Sequence, residues 1–422
     1  MSGKGTLLVG LDLCNDFTQI SCFSNITYEP ESICLTEDKS KYLIPTILGV
    51  KVDNREWIFG EAAIETAKEG KCVLIESIIE KAANQEETPV FGVNYSAEFL
   101  LEKFLKKVLT LLKREYPNDS ICKLVITVEK PQLPLLKSIY GALEKLGINK
   151  DRASVQSHKQ SYFYYALSQK RELWMNDVGL FEFNEEGLSY YQIVLNRKTS
   201  PMAVSIHEKN FSDNLPYDMI RNHEDKKHIG EIFDTISKRA LYKQVISTIY
   251  VTGKGFDGDW SEKVLKSLCV GRRVFLGQNL YTKGACYAAR EYSGKGKLES
   301  FLFLGEEMIQ SDVMLRLYHD AKLEDVMLAK TGTPWYEVRK NIRLIPDNEN
   351  ELEIVVQNLM KRTKVRHLIT LDGLRTSPNK TVKLQVKVRF LDIATCVVKV
   401  KDCGFGEFYP SSNRIWEKTF TI

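Results

Sequence analysis

Thr6-Leu7-Leu8-Val9-Gly10-Leu11-Asp12-Leu13-Cys14-Asn15-Asp16-Phe17-Thr18-Gln19-Ile20-Ser21-Cys22-Phe23 is the stretch whose reading decides the fold. Leu7, Val9 and Leu11 alternate, Asp12 to Asp16 is rich in turn formers, and Phe17 to Phe23 is again extended, so the segment reads as a β-hairpin. The same pattern returns later: Val178-Gly179-Leu180-Phe181-Glu182-Phe183, a turn at Asn184-Glu185-Glu186-Gly187, and a returning strand from Leu188 to Leu195. Two hairpins, each opening an α/β half, form an internal repeat that predicts two α/β lobes.

Working outward, Ser96 is placed to cap a long amphipathic helix whose apolar face holds Phe99, Leu100, Phe104, Leu105, Val108 and Leu112, with Pro117 beyond its end. Lys123 to Val128 reads as a buried strand, followed by a helix from about Pro134 to Leu146 that stops at Gly147. A further helix is expected over Ser157 to Glu172. In the second half, a helical stretch lies within 213–245. The strand Thr248-Ile249-Tyr250-Val251 then leads through Thr252-Gly253-Lys254-Gly255-Phe256 to helices near Ser261–Leu268 and Asn279–Glu291. Tyr292 to Lys297 reads as a loop. Beyond about Asn341, alternating runs predict a short-stranded antiparallel β domain.

Composition fits this organisation. A chain of 422 residues exceeds the roughly 250–300 that one core serves, so several domains are expected. Hydrophobic residues are 43% and charged residues 27%, a globular balance. The net charge of +4 is spread along the sequence with no concentrated basic stripe, which argues against a nucleic-acid partner. No apolar run is long enough for a membrane helix, and Met1 to Gly5 leads straight into a strand, so a cytoplasmic protein without membrane contact is expected. The nine cysteines are scattered and none stands in a Cys-x-x-Cys pair, which argues against zinc and against a disulfide framework. His223 and His228 have no ligand spacing.

The order of landmarks resembles heat-shock-seventy chaperones, of the actin/heat-shock-seventy/sugar-kinase superfamily. Gly10-Leu11-Asp12-Leu13 resembles the start of their first phosphate motif, Gly-Ile-Asp-Leu-Gly-Thr-Thr. Phe59-Gly60-Glu61-Ala62-Ala63 resembles their Val-Gly-Asp/Glu-x-Ala helix start, and Val125-Ile126-Thr127-Val128 their Val-Ile-Thr-Val strand. Gly253 and Gly255 stand where the adenosine motif has Gly-Gly. Lys283-Gly284-Ala285 resembles the helix ending Val-Ala-x-Gly-Ala-Ala. Leu371-Asp372-Gly373-Leu374, Pro378, Lys383 to Asp392 and Val397 to Asp402 are similar to the family's peptide-binding β sandwich. No single match is specific; the shared order along the chain carries the resemblance.

That resemblance implies a two-lobed actin-like ATPase (ribonuclease H-like) α/β fold plus a C-terminal β sandwich. The lobes would span 1–172 and 173–298, a connecting segment 299–340, and the sandwich 341–422, without the family's helical lid. The implied ligands are ATP or ADP with Mg2+, and zinc, haem and flavin are not expected. Gly10, Leu13, Cys14, Asn15 and Asp16 would meet phosphate on one side, Asn184 and Gly187 on the other, and Gly253, Lys254 and Gly255 the adenosine. Lys238 and Arg239 are further candidates for phosphate or purine. Asp12 would orient Mg2+-bound water; the alternative is a turn aspartate bonded to nearby backbone.

The motif is nevertheless altered. Cys14 replaces a glycine, and Glu185 and Glu186 occupy the facing turn, in the register that aligns Glu182 to Gly187 with Asp-x-Gly-Gly-Gly-Thr. The other register, on Asp177 and Gly179, leaves a strand where a turn is required. Where the family has a catalytic glutamate, this chain has Ser157-His158-Lys159-Gln160. His158 is expected as a surface helix residue, with His158 or Gln160 as the available stand-ins. The expectation is a degenerate scaffold, engaging an unidentified protein or peptide with little or no ATP hydrolysis. The alternatives are an active Mg2+-dependent ATPase and, behind it, an actin-like polymerising protein.

Overall fold

The computed structural model describes residues 6–35, 41–222, 226–319, 322–347 and 349–422. His223 and the Met1–Gly5 lead-in therefore lie outside the described residues. The chain forms two compact units: Met1–Leu195 with Ile206–Glu299, and Asn196–Ser205 with Ser300–Ile422.

The first unit begins with the expected hairpin, β1 (Thr6–Leu13) and β2 (Phe17–Phe23), paired with Asp12 opposite Gln19 and Leu13 opposite Thr18. Seven of the eight β1 residues are buried, because the sheet is covered on both faces. A short strand β3 (Pro30–Ser32) follows. Helix α1 (Ala97–Glu115) starts at the predicted cap, where Ser96 Oγ accepts the Phe99 N–H. Then come β4 (Ser120–Val128), α2 (Leu133–Lys145), β5 (Ala153–Ser157) and α3 (His158–Ser168). The strand order is β3-β2-β1-β4-β5, with β4 parallel to β1 and β5 parallel to β4.

The second half repeats that order. It consists of β6 (Asp177–Asn184), β7 (Gly187–Asn196), β8 (Met202–Asn210), α4 (Lys226–Ala240), β9 (Ile246–Thr252), α5 (Trp260–Leu268), β10 (Arg273–Leu276) and α6 (Leu280–Arg290). The sheet runs β8-β7-β6-β9-β10, again with an antiparallel hairpin followed by two parallel strands. Both sets of parallel strands are joined through helices, the connection that parallel pairing requires.

Helix α6 packs on the first sheet. Nine of its eleven residues are buried. A Cβ at Gly10 would fall 2.3 Å from both Cys286 N and Thr282 O, and one at Gly284 would fall 2.0 Å from Ser161 O of α3. The helix therefore lies backbone against backbone on both β1 and α3. The Thr282 hydroxyl is 3.3 Å from Gly10 O and the Cys286 thiol 3.4 Å from Leu8 O.

The second unit contains two four-stranded antiparallel sheets. One is built from β12 (Ser311–His319), β13 (Lys322–Ala329), β15 (Glu351–Asn358) and β16 (Thr363–Thr370), after a short β11 (Phe301–Phe303). The other is built from β14 (Arg339–Leu344), β17 (Leu384–Phe390), β18 (Thr395–Asp402) and β19 (Ile415–Thr421). Val313, Leu315, Ile354 and Val356 from the first sheet share one core with Val386, Val388, Val398 and Val400 from the second. The connecting segment expected at 299–340 is corrected here, since it supplies three strands. Its Val313/Leu315 alternation is a core signal. Tyr292–Lys297, expected as a loop, instead begins as a π-helical turn over Glu291–Lys295 that continues α6, and Glu291 accepts the Lys297 and Leu298 N–H groups.

The register of the second sheet also gathers charge that the sequence spreads out. On its exposed face Arg339 stands opposite Arg389, and Lys387 opposite Lys399, with Arg343 and Lys401 beside them; Glu417, opposite Lys399, is an acid in these rows.

Gly10→Ala is expected to destabilise the protein by about 3 kcal/mol or more, because the clash is with backbone rather than a movable side chain. Gly230→Ala, in α4 with no neighbour closer than 3.5 Å, serves as the control and is expected to be neutral or stabilising. Urea denaturation of both variants checks this; equal stabilities would refute the close contact.

Candidate functional site

The turn of each hairpin faces one cavity of about 440 Å3 in the first unit. Leu13, Cys14, Asn15 and Asp16 line it from the β1–β2 turn, Asn184, Glu185 and Glu186 from the β6–β7 turn, and Gly253 and Lys254 from the end of β9. Of these, Leu13, Cys14, Asn15, Asp16, Asn184, Gly253 and Lys254 are predicted ligand residues, and the fold brings them together beside Glu185 and Glu186. Gly10, Gly187 and Gly255 are not in the lining. Gly10 lies under α6, Gly187 against Ser212, and Gly255 against the Phe183 ring, where a Cβ would meet ring carbon at 2.4 Å. These three glycines serve packing. Lys238 is bonded to Asp234 on α4 and is also absent from the lining.

Gly253 lines the cavity for a similar reason. Its φ of 100° and the 2.2 Å that would separate a Cβ from Phe183 O require glycine. Both of its backbone polar groups are taken by one amide: its N–H donates to Gln278 Oε1 at 3.0 Å, and its carbonyl accepts from Gln278 Nε2 at 3.1 Å.

The cavity floor is built at the carboxyl ends of parallel strands. Asp12 is near the end of β1, and His158 is the first residue of α3, directly after β5. His158 Nε2 lies 2.8 Å from Asp12 Oδ1, and the Cys14 thiol lies 3.4 Å from that oxygen and 3.6 Å from His158 Nε2. His158 is only 8% exposed, which corrects its expected place on a helix surface. Ser157 caps α3 through the Gln160 N–H, and His158 is the residue of that first turn that lines the cavity. The imidazole is stacked on Tyr281 of α6, with centroids 4.0 Å apart and planes within 9°. Gln160 faces elsewhere, its amide donating to the Tyr292 hydroxyl at 3.0 Å.

Burial pulls the His158 pKa down, but the charge and hydrogen bond of Asp12 outweigh it and hold the ring above its ordinary value. Burial, followed by the Asp12 charge, pushes the Cys14 thiol well up, so it is a neutral thiol rather than an activated nucleophile. Glu182, hydrogen-bonded to Tyr281, is raised by burial to about 7 despite the nearby His158.

The rim is self-satisfied. Lys254 Nζ is 2.7 Å from Asp16 Oδ2 and 4.3 Å above the Phe17 ring, so the expected phosphate cation already joins the first hairpin. Asn15 Oδ1 accepts the Glu80 N–H, and Asn184 Oδ1 accepts the Glu186 N–H, closing the second turn. The Glu186 carboxyl is raised by burial and by Glu129 beside it. In all, Asp12, Asp16, Glu80, Glu129, Glu182, Glu185, Glu186 and Asp257 line the cavity, against Lys130, Lys254 and His158. Tyr281, Gln278 and Glu129 escaped the sequence reading because they reach the site from elements far along the chain from the hairpin turns, and Gln19 because its place opposite Asp12 is set by the hairpin register.

Residues 29–306 match the model of a family described as "Family of unknown function (DUF5716) C-terminal". The chain belongs to this DUF5716 family. Residues 308–422 match a second model, "Domain of unknown function (DUF8552)", and this division falls close to the structural one at Ser300. No curated protein matches the chain. The stretch matched to DUF5716 takes in His158, Glu182, Lys254 and Tyr281 and begins beyond the Asp12–Cys14 turn.

Between its ordinary value of 4.5 and about 7, Glu182 in this DUF5716 member keeps a proton that the unfolded chain has released, so stability falls as pH rises through that window. His158 acts in the same direction, since its raised pKa contributes stability fully present below 6.5 and lost as pH rises through the folded value. Glu182→Gln is expected to flatten the decline, gaining about 1–2 kcal/mol over the parent on going from pH 5 to pH 8; the open cleft keeps this below the full shift. Denaturant unfolding at both pH values measures it, and parallel pH profiles would refute the assignment.

Proposed function

We propose that the first unit has the actin-like ATPase (ribonuclease H-like) fold and that its cleft has lost ATP turnover, leaving a scaffold that engages another protein. The twice-repeated strand order, with both hairpin turns over one cavity, supports the fold assignment. The observation that carries the loss of turnover is the acid on both turns: Glu185 and Glu186 on one side, and Asp16 already holding Lys254 on the other. Catalysis of phosphoryl transfer rests on prearranged positive charge and N–H dipoles around the phosphates. A phosphate oxygen 4 Å from a carboxylate is instead repelled by up to about 4 kcal/mol at an effective dielectric of 20, a figure reduced here where Lys254 holds Asp16 and Arg221 stands 3.6 Å from Glu185. His158 and Cys14, in turn, occupy the Asp12 oxygen that the heat-shock-seventy resemblance would assign to metal-bound water.

The second unit, similar in sequence to a chaperone's peptide-binding sandwich, supplies the partner surface. Its exposed Arg339, Arg343, Lys387, Arg389, Lys399 and Lys401 fit an acidic protein segment. Like charges placed opposite each other cost sheet stability, which favours a binding role for these rows.

Titration calorimetry with ATP and ADP, with and without Mg2+, and a phosphate-release assay test the reading. Binding is expected to be weak or absent and release at background, while replacing Glu185 and Glu186 together by Gly tightens ATP. Turnover of several per minute that is lost in Asp12→Ala would overturn it and establish a Mg2+-dependent ATPase.

A further inference from the structure

We propose that Asp12, Cys14 and His158 form a three-ligand site for a thiophilic divalent metal, of which zinc is the type, with an open coordination position facing the cleft. The three side chains offer carboxylate oxygen, sulfur and imidazole nitrogen, the donor types zinc takes, and all three donor atoms lie within 4.8 Å of one another. The geometry is near that of a bound ion. With metal–sulfur bonds of about 2.3 Å and metal–nitrogen or metal–oxygen bonds of about 2.0 Å, tetrahedral ligands stand about 3.5 Å apart for sulfur pairs and about 3.3 Å for nitrogen–oxygen. Here sulfur is 3.4 Å from oxygen and 3.6 Å from nitrogen. Only the nitrogen–oxygen edge, at 2.8 Å, has to open, exchanging a hydrogen bond for the ion.

The ligands are also held in place. Asp12 is on a central strand between β2 and β4, and the His158 ring lies flat on Tyr281. An independent observation concerns Gln19, which stands directly opposite Asp12 in the hairpin register, lines the same cavity and is 6% exposed. Its amide nitrogen donates to Gln278 O at 2.7 Å, but its Oε1 is buried with no hydrogen-bond partner. A buried acceptor without a donor is uncommon, and water on a metal at the open position would supply one. Binding sends the thiol proton to solvent. One thiolate and one carboxylate then balance the dication in a cleft otherwise in excess of acid. The argument against zinc from Cys-x-x-Cys spacing does not reach such a site, because His158 lies 144 residues beyond Cys14.

The test is a Co2+ titration of the full chain after chelator treatment and buffer exchange. Expected are a near-ultraviolet thiolate-to-cobalt band and visible tetrahedral bands that saturate at one equivalent and are bleached by Zn2+. Cys14→Ser should lose the near-ultraviolet band, and His158→Gln should weaken Co2+ binding at least tenfold. Cys122→Ser, which removes an exposed thiol elsewhere, should keep both. Saturation without the thiolate band, or a band surviving in Cys14→Ser, would overturn the proposal. Should a variant fail to fold, X-ray absorption on the zinc-loaded parent gives the same answer: one sulfur at about 2.3 Å supports the site and a shell of nitrogen and oxygen alone rules it out. The test uses no nucleotide, so its failure and that of the ATP reading are separate.

Discussion

Helix α6 can lie directly on the first sheet because Gly10 has no side chain, and the cleft depends on that contact. Backbone atoms of Thr282 and Cys286 stand where a Cβ of residue 10 would be, and Gly284 makes the same approach to Ser161. With the helix seated there, Tyr281 reaches the His158 ring and Glu182 from one side. Gln278, just before the helix, accepts at its carbonyl from Gln19 and closes the Gly253 turn with its own amide. Residues from both halves of the first unit thus meet through a helix whose depth is set by two missing side chains.

A deep floor and a self-paired rim give the cleft its electrostatic character. Asp12 and His158 are buried and bonded to each other, whereas Lys254 and Asp16 are paired where water still reaches them. Buried pairs resist separation because either partner left alone would be an uncompensated charge. Exposed pairs part at little cost. A ligand entering from the rim therefore meets a yielding layer of lysine and carboxylate before an unyielding one of histidine, thiol and carboxylate.

Local signals carried far into this fold. The Ser96 cap, the alternation in Leu7–Leu11 and the turn at Asn184–Gly187 each rest on residues within a few positions of one another, and each feature stands where the pattern put it. The site was less legible. Ser157-His158-Lys159-Gln160 has the polarity of a solvated helix start, yet it meets polar groups delivered by β1, so sequence polarity and exposure part company there. The glycines divided in the same way. Gly10, Gly253 and Gly255 are all small because backbone or an aromatic ring presses on them, yet only Gly253 borders the cavity, and composition cannot separate a glycine that does from one that does not. The rows of Arg339, Arg389, Lys387 and Lys399 were hidden too, since only cross-strand register sets residue 339 beside 389 and residue 387 beside 399.

The seating of α6 also sets an order of events during synthesis. Strands β1 and β2 are made first, but the helix that covers them spans Leu280–Arg290. At ribosomal rates of about 5–20 residues per second, the sheet's apolar face stands without that cover for on the order of 10–50 s. Truncations that stop short of residue 290 would leave that face without this cover permanently.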